Sequence, residues 1–526
     1  MNLLRALTTV SGMTLLSRIT GLARESLKAV VFGAGSDVDA FEAAFRLPNI
    51  LRRMFAEGAF SQAFVPILAE YQRQRGIDAT RDLVGKVATL MALVLLVVSV
   101  LGVLAAPWVV YLLAAGFERT PGKVELTADL IRIVFPYIFF ISLVSLAGGV
   151  LNVFRRFAVP AFTPVLLNLS IIAATLWLAP HVDPPVLALA WGVAIGGVAQ
   201  LILQIRPLLK LGMLPRPSWG WRDPGVRRIL LAMGPAVLGV SAAQISVLLN
   251  TQWAAWLGDG RIAWITYADR LMEFPSALLG VALGTILLPT LAKHHSDNDP
   301  HRYSGLLDWG LRLALLLALP AALALWLLAV PLIATLYQYG RFSVADVFQV
   351  RTALIGYAVG LTALILVKIL APGFYARQNL KTPVKIAVVT VLVSQALALL
   401  LMWPLGHAGL TLATSLGACL NAALLLTFLL RRGDYRPRPG WLAFLSRLVI
   451  ALGVLAAVLV WLAGPAAAWT AASLWTRVGH LALVIGGGGL AYFGTLALLG
   501  FRFADFAQRD GGAPTGDGPI DRSGET

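Results

Sequence analysis

The sequence predicts an all-α polytopic membrane protein from its composition, its long apolar segments and the distribution of its basic residues. Apolar residues make up 58% of the 526 residues, whereas Asp, Glu, Lys and Arg together make up only 13%. The mean hydropathy is +0.80. A soluble protein of this length needs far more polar surface to cover its core, so a soluble enzyme is excluded.

Long apolar segments follow one another along almost the whole chain. A helix needs about 20 mostly apolar residues to cross the hydrocarbon core of a membrane. The first segment carries Arg18 and Arg24 and lacks a small-residue cleavage site, so we expect a retained helix rather than a signal peptide. Charge clusters and Pro/Gly turns delimit fourteen predicted segments: 5–32, 38–70, 85–113, 127–153, 160–180, 186–206, 228–257, 262–292, 304–336, 346–371, 383–404, 408–430, 441–464 and 475–500.

Basic residues alternate between the loops. The loops after even-numbered segments are rich in Lys and Arg, as in Arg155-Arg156 and Arg431-Arg432. The positive-inside rule therefore places both termini in the cytoplasm. The net charge of +16 is explained by this topology, so no nucleic-acid partner is predicted. The loops after odd-numbered segments hold only Arg119, Lys123, Arg261, Arg341 and Arg477.

A weak internal repeat predicts two lobes. Leu47-Pro48-Asn49-Ile50-Leu51 is echoed by Phe274-Pro275-Ser276-Ala277-Leu278, and Thr163-Pro164-Val165 by Thr382-Pro383-Val384. The offsets correspond to six helices, an even number, so the lobes share an orientation and a central site lies between them. The predicted units are an N-terminal lobe (1–220), a C-terminal lobe (221–432), two additional helices (433–503) and a polar, disordered tail (504–526).

Segments 1, 2 and 8 carry charges where membrane helices rarely tolerate them. One Arg, Lys or Asp at a helix centre costs about 2.5–3.5 kcal/mol on insertion, so we expect these side chains to line protein or water. Within each segment, most of the charges recur at helical spacing and therefore share a face. The charged residues are Arg18, Arg24, Glu25 and Lys28; Asp39, Glu42, Arg46, Arg52, Arg53 and Glu57; and Asp269, Arg270 and Glu273.

The arginines indicate an anionic ligand. A guanidinium binds phosphate oxygens in pairs and stays protonated, which suits a diphosphate better than a metal cation. The predicted binding residues are Arg18, Arg24, Arg52, Arg53 and Arg270. The predicted gating or ion-pair residues, which hold the arginines when no ligand is bound, are Glu25, Asp39, Glu57, Asp269 and Glu273.

For some of the charged residues the sequence favours a purely structural role. Lys28, Glu42, Arg46 and Asp269 fit either snorkelling side chains or structural ion pairs. Pro48 and Pro275 lie next to the charged faces and are predicted to bend their helices and open a cavity. No P-loop, HExxH motif or Cys/His cluster is present, so no cofactor or metal is predicted.

Several motifs resemble the MurJ (MviN) family of lipid II flippases. The resemblance extends along nearly the whole chain and is most specific in segments 2 and 8. The motifs are Ser17-Arg18, Gly21-Leu22-Ala23-Arg24, Phe32-Gly33-Ala34-Gly35, Leu47-Pro48-Asn49, Leu51-Arg52-Arg53, the stretch from Phe55 to Pro66, the stretch from Tyr267 to Pro275, and Leu370-Ala371-Pro372-Gly373-Phe374-Tyr375.

The resemblance implies a transporter of the multidrug/oligosaccharidyl-lipid/polysaccharide exporter superfamily, not an enzyme. The implied substrate is lipid II, an undecaprenyl-diphosphate-linked muropeptide that is flipped from the inner to the outer leaflet by alternating access. In the family, arginines corresponding to those named above line the cavity, Asp39 is also implicated, and segments 13 and 14 form a groove for the lipid tail. Membrane lipids and cell-wall synthesis or divisome proteins are the expected partners.

Three alternatives remain at this point. One is an exporter of another polyprenyl-linked oligosaccharide, or a drug/cation antiporter, from the same superfamily. Another is a polytopic glycosyltransferase, which needs catalytic carboxylates on a large outer loop, whereas the outward loops here are short. The last is a non-transporting scaffold, which leaves the buried charges of segments 1, 2 and 8 without a purpose.

Overall fold

The computed structural model describes residues 3–53 and 60–501, and within them all regular secondary structure is helical, which confirms the predicted all-α fold. The first ten α-helices are α1 (Leu3–Phe32), α2 (Ser36–Leu51), α3 (Phe60–Gln74), α4 (Gly76–Leu104), α5 (Ala106–Ala114), α6 (Lys123–Val134), α7 (Tyr137–Val153), α8 (Ala158–Ala173), α9 (Leu187–Lys210) and α10 (Pro224–Trp256). The next nine are α11 (Arg261–Ser296), α12 (Pro300–Leu327), α13 (Ala329–Leu336), α14 (Val344–Tyr375), α15 (Lys381–Leu405), α16 (His407–Arg431), α17 (Trp441–Ala463), α18 (Ala466–Ala471) and α19 (Leu474–Leu498). Short 3₁₀ or π turns occupy Ala115–Arg119, Ala174–Leu178 and Ala179–His181.

The described helices fit the predicted membrane segments. Ten helical stretches are long and apolar enough to cross a membrane, and they coincide with predicted segments 3–6 and 9–14. The other predicted segments coincide with α1, with α2 and α3 together, with α10 and with α11, so the predicted count of fourteen is consistent with the helices. Large apolar side chains such as Leu400 (68% exposed) and Trp461 (81% exposed) point outward, as lipid-facing residues do.

Pro48 and Pro275 both lie inside continuous helices. A proline removes one intrahelical hydrogen bond and crowds the preceding turn, so both helices are weakened at these points. After Leu51 the chain widens into a π-helical turn at Arg52 and Arg53, a geometry that often re-aims side chains at functional sites. The role of the two prolines as bends stays a prediction.

The helices pack in two main groups. Helices α1, α2 and α6–α9 contact one another, and α14 contacts α11, α12 and α16 in the second group. Helices α17 and α19 pack against each other and against α12 and α13, respectively. The predicted lobe boundaries at residues 220 and 432 stay predictions, and the tail 504–526 lies outside the described residues.

Helix α10 contacts both groups. On one side it packs against α3 and α5, which contact α7 and α6 of the first group. On the other side it packs against α15, which contacts α16 of the second group. On the first side, Gln252 Oε1 accepts a hydrogen bond from the Ala115 N–H at 2.8 Å. On the second, Trp253 Nε1 donates to Gln395 Oε1 at 2.9 Å. The helix is therefore fixed to both groups by polar contacts as well as by packing.

Candidate functional site

Glu25 is the central carboxylate on the charged face of α1. The residue is 3% exposed. Its Oε2 lies 2.5 Å from Lys28 Nζ, and its Oε1 forms a short ion pair with Arg24. From α11, Arg270 Nε approaches Oε1 at 3.6 Å. A buried charge needs close partners of opposite sign, and these three cations supply them.

Lys28 links α1 to α2. Its ammonium group forms a short ion pair with Glu42 in addition to its contact with Glu25. It also lies 4.9 Å from the centre of the Tyr267 ring, within the range of a cation–π interaction. Lys28 and Glu42 are 3% and 7% exposed, so they form a buried structural ion pair rather than snorkelling to the surface.

Glu273 joins α1 to α11 from the other side. Its Oε1 lies 3.3 Å from Arg18 Nη1, and its Oε2 accepts a hydrogen bond from Arg270 Nη1 at 2.9 Å. The side chains of Arg18, Arg270 and Glu273 are 41%, 27% and 35% exposed. These guanidinium groups therefore keep surface that an anion can reach.

The other predicted residues, which lie in or just after α2 and on α11, have fewer close charged partners. Arg52 donates to Asn49 Oδ1 at 2.8 Å through Nη2 and at 3.2 Å through Nε. Arg53 is partly buried and lies within electrostatic range of Arg52, Arg270, Glu273 and Asp269. Among the described side chains, neither Arg46 nor Asp269 has an ion-pair partner within 4.0 Å. Glu57 lies outside the described residues.

Two polar side chains of the site were missed by sequence reasoning. Asn168, on α8, accepts from Arg24 Nη1 at 3.0 Å and donates to the Ser17 carbonyl at 3.1 Å. Lys368, on α14, donates to the Ser276 carbonyl at 3.0 Å. A single neutral amide in an apolar segment has no charge to reveal it, whereas the lone lysine in segment 10 was a usable signal.

Asp39 belongs to a second cluster at the helix ends. It is fully buried and accepts hydrogen bonds from the Gly260 and Ala263 N–H groups at 2.6 and 2.8 Å. Lys123 Nζ lies 3.1 Å from Asp39 and 2.6 Å from Asp259. Asp39 thus holds the first turn of α11, where unpaired N–H groups favour a negative charge. From the sequence, Lys123 was predicted only as a loop charge.

Close backbone contacts surround the Asp39 cluster. The Arg341 N–H donates to the Val30 carbonyl at 2.9 Å, and the Tyr267 hydroxyl donates to the Gly33 carbonyl at 2.9 Å. A Cβ at Gly340 would lie 2.3 Å from the Val30 carbonyl oxygen, so only glycine permits this approach. These contacts close the space between α1, α11 and the loop before α14 at this end.

The geometry therefore divides the predicted residues into two sets. Arg18, Arg24 and Arg270 converge on Glu25 and Glu273, whereas Asp39 stands apart at the closed end. Partly exposed arginine forks held by carboxylates can bind an anion by exchanging one negative partner for another. No group of His, Cys, Asp and Glu in residues 3–53 and 60–501 is arranged to hold a metal ion.

Comparison with known proteins identifies the family. Residues 28–478 match the family described as "Lipid II flippase MurJ". The chain belongs to the MurJ family. It is 53% identical over 515 residues to "Lipid II flippase MurJ" of Burkholderia cenocepacia, covering 97% of this chain and 100% of that protein. It is 41% identical over 503 residues to "Probable lipid II flippase MurJ" of Vibrio cholerae, covering 94% and 96% of the two chains.

Solved structures share the fold at low sequence identity. A "Lipid II flippase MurJ, inward closed conformation" superposes with a TM-score of 0.78 at 24% identity, covering 93% of this chain and 98% of that one. An inward-facing multidrug resistance MATE transporter of the MOP superfamily superposes with a TM-score of 0.68 at 13% identity, covering 81% and 97%. The predicted family and polytopic all-α fold class are thus confirmed for this MurJ-family chain.

Proposed function

We propose that this chain flips lipid II from the cytoplasmic to the periplasmic leaflet by alternating access. The observation that carries the proposal is the sharing of the buried Glu25 by Arg24 of α1 and Arg270 of α11. This carboxylate neutralises cations from both helix groups, as a bound diphosphate would. The names of the relatives support lipid II as the lipid that carries that diphosphate.

In the proposed cycle the diphosphate of lipid II replaces carboxylates as the partner of the arginines. Arg24 and Arg270 bind phosphate oxygens, and Arg18, Arg52 and Arg53 add positive charge around them. Glu25 and Glu273 lose partners in that exchange, which weakens the ties between α1 and α11. No covalent bond is made or broken, so the chain acts as a transporter rather than as an enzyme.

The second half of the proposed cycle is the opening of the closed end around Asp39. With both termini in the cytoplasm, the Asp39 cluster faces the periplasm, and the arginine cluster is reached from the cytoplasmic side. Opening toward the periplasm requires that the α11 N–H groups leave Asp39. The polyprenyl tail stays in lipid, along the groove predicted beside α17 and α19.

The test measures lipid II at the cell surface in bacteria depleted of their own flippase. Arg270→Ala is compared with the unchanged chain, and lipid II is counted after cleavage by a membrane-impermeant reagent. Arg228→Ala is the matched control because Arg228 forms a solvent-exposed ion pair with Glu70, and such surface pairs contribute little to stability. We expect Arg270→Ala to lower surface lipid II at least about tenfold, as the loss of a desolvated charge contact implies.

Each outcome decides one part of the proposal. If Arg270→Ala restores surface lipid II as well as Arg228→Ala does, the arginine cluster is not the binding site. If the unchanged chain inserts normally but restores none, lipid II is the wrong cargo. Export of another polyprenyl-linked oligosaccharide by the same arginines then becomes the better interpretation.

A further inference from the structure

A cavity of about 570 Å³ lies where α17 begins, between that helix, α12 and the end of α19. None of its lining residues belongs to the charged faces of α1, α2 and α11. Its lining includes three arginines and three aromatic side chains. The residues that carry the inference are Asp308, Arg312, Arg438, Phe444, Arg447 and Phe501.

The cavity contains more positive than negative charge. Its one carboxylate, Asp308, lies 2.9 Å from Arg312 Nε and also accepts hydrogen bonds from Tyr435 and Trp441. In the part of the chain that the structure describes, no carboxylate forms an ion pair with Arg438 or Arg447. Neither guanidinium is neutralised by a described carboxylate, so both can bind an anion.

Arg438 is positioned by contacts of both its backbone and its side chain with α12. Arg312 Nη2 donates to the carbonyls of Arg438 and Pro439 at 3.3 and 3.0 Å. A Cβ at Gly305 would lie only 1.9 Å from Arg438 Nη2, so the guanidinium rests directly on the glycine backbone. Gly305 thus makes room for the Arg438 side chain on α12.

The first turn of α17 contributes a further anion-binding element. Its cap residue, Gly440, has a φ of 90° and provides no side-chain hydrogen bond to the helix. The first N–H groups of a helix lack intrahelical partners and carry partial positive charge, which favours phosphate. Gly440 and Ala443 both line the cavity, so this helix end and the arginines face the same space.

The cavity also borders an apolar surface. On α17, Leu442 is 84% exposed and Val449 66% exposed, and on α19 Leu498 is 90% exposed. The Arg447 guanidinium lies 5.9 Å from the centre of the Phe501 ring. A basic, aromatic cavity beside lipid-facing leucines has the chemistry of an interfacial site for an anionic lipid headgroup.

At a corresponding loop in the first half of the chain, the basic residue on the facing helix is paired with two carboxylates. Residues 219–223 pack against Lys86 on α4 much as residues 438–440 pack against Arg312 on α12. There, Lys86 Nζ lies 2.6 Å from Asp82 and 2.9 Å from Asp223. Burial alone raises the pKa of Asp223, but hydrogen bonds from Lys86 and from two backbone N–H groups lower it below its usual value. Asp82 and Asp223 therefore already neutralise Lys86 within the chain.

We propose that the cavity between α12, α17 and α19 binds the phosphodiester headgroup of an anionic phospholipid, with Arg438, Arg447 and the first turn of α17 around the phosphate. Because lipid occupancy is measured directly, this proposal stands or falls separately from lipid II transport.

Native mass spectrometry of the purified full-length chain tests the proposal. The titrated lipids are dioleoyl phosphatidylglycerol and dioleoyl phosphatidylcholine, and inorganic phosphate is added in excess as a competitor. For Arg438→Gln with Arg447→Gln we expect phosphatidylglycerol to bind about tenfold more weakly, corresponding to about 1.4 kcal/mol. Binding of phosphatidylcholine should not change.

Two matched variants make the result specific. Lys86→Gln removes one positive charge at the corresponding loop and should leave phosphatidylglycerol binding unchanged. Gly305→Ala keeps every charge but displaces Arg438, and should weaken binding severalfold. Equal phosphatidylglycerol binding by all variants overturns the proposal. Displacement of the lipid by inorganic phosphate overturns the lipid assignment and leaves a free-phosphate site.

Discussion

Glu25 and Asp39 are both buried carboxylates, but they are held in opposite ways. Glu25 is neutralised by Arg24, Lys28 and Arg270, whose long side chains can each rotate away separately. Asp39 is held largely by two backbone N–H groups at the start of α11. A ligand can therefore exchange the partners of Glu25 one at a time, whereas the backbone partners of Asp39 leave only when α11 itself moves.

The largest effect is expected for Asp39→Ala, because backbone N–H groups are the main partners of Asp39. Asp39→Ala leaves the N–H groups of Gly260 and Ala263 without their acceptor and removes one of the two carboxylates beside Lys123. Breaking such a buried pair costs about 3–5 kcal/mol, so we expect the closed end to open and surface lipid II to fall to background. Hydrogen exchange over residues 258–267 should become faster.

Asp37→Ala is the matched control, because Asp37 is exposed in the first turn of the same helix. It should change neither hydrogen exchange nor transport. If Asp39→Ala also leaves both unchanged, the hydrogen bonds at the start of α11 do not hold the closed end.

An intermediate effect is expected for Glu25→Gln. Each of its cations keeps another partner, so the fold should persist: Arg24 keeps Asn168, Lys28 keeps Glu42 and Arg270 keeps Glu273. Since the competing carboxylate is gone, we expect purified protein to bind lipid II up to about tenfold more tightly, or about 1.4 kcal/mol, while surface lipid II falls. Glu118→Gln, at an exposed position, is the control. Weaker lipid II binding by Glu25→Gln contradicts competition between carboxylate and diphosphate.

The smallest effect is expected for Asn168→Ala. Arg24 loses the 3.0 Å contact that orients it but keeps Glu25. Because the ion pair of Arg24 with Glu25 remains, the cost should be that of one ordinary hydrogen bond, about 1 kcal/mol. We expect lipid II binding to weaken at least severalfold while the fold is retained, measured against Asn152→Ala on an exposed face of α7. Identical binding by the two variants removes Asn168 from the site.

The charged faces were predictable because an ionised side chain in an apolar helix is expensive unless it lines protein or water. That argument brought Arg18, Arg270 and Glu273 into one site, and the structure places them in contact. It could not decide which cation pairs with which carboxylate, because pairing depends on helix rotation. The snorkelling and ion-pair alternatives for Lys28 are separated only by its burial between Glu25 and Glu42.

The sequence could not reveal partners that carry no charge or that lie outside the predicted membrane segments. The backbone N–H groups that hold Asp39 have no sequence signature, since every residue except proline has one. Asn168 is one amide in an apolar segment, and Lys123 was assigned to a loop although its side chain is 1% exposed. The family motifs, by contrast, indicated the fold correctly because they span segments 1, 2, 8 and 10.

Helix α10 gives the transport cycle a preferred order of events. Because Gln252 contacts the end of α5 and Trp253 contacts α15, this helix cannot follow both groups when they separate. It stays with the group whose hydrogen bonds outlast the other's. Movement of one group away from the other therefore breaks at least one of these two contacts, so both add to the barrier between the access states of the proposed cycle.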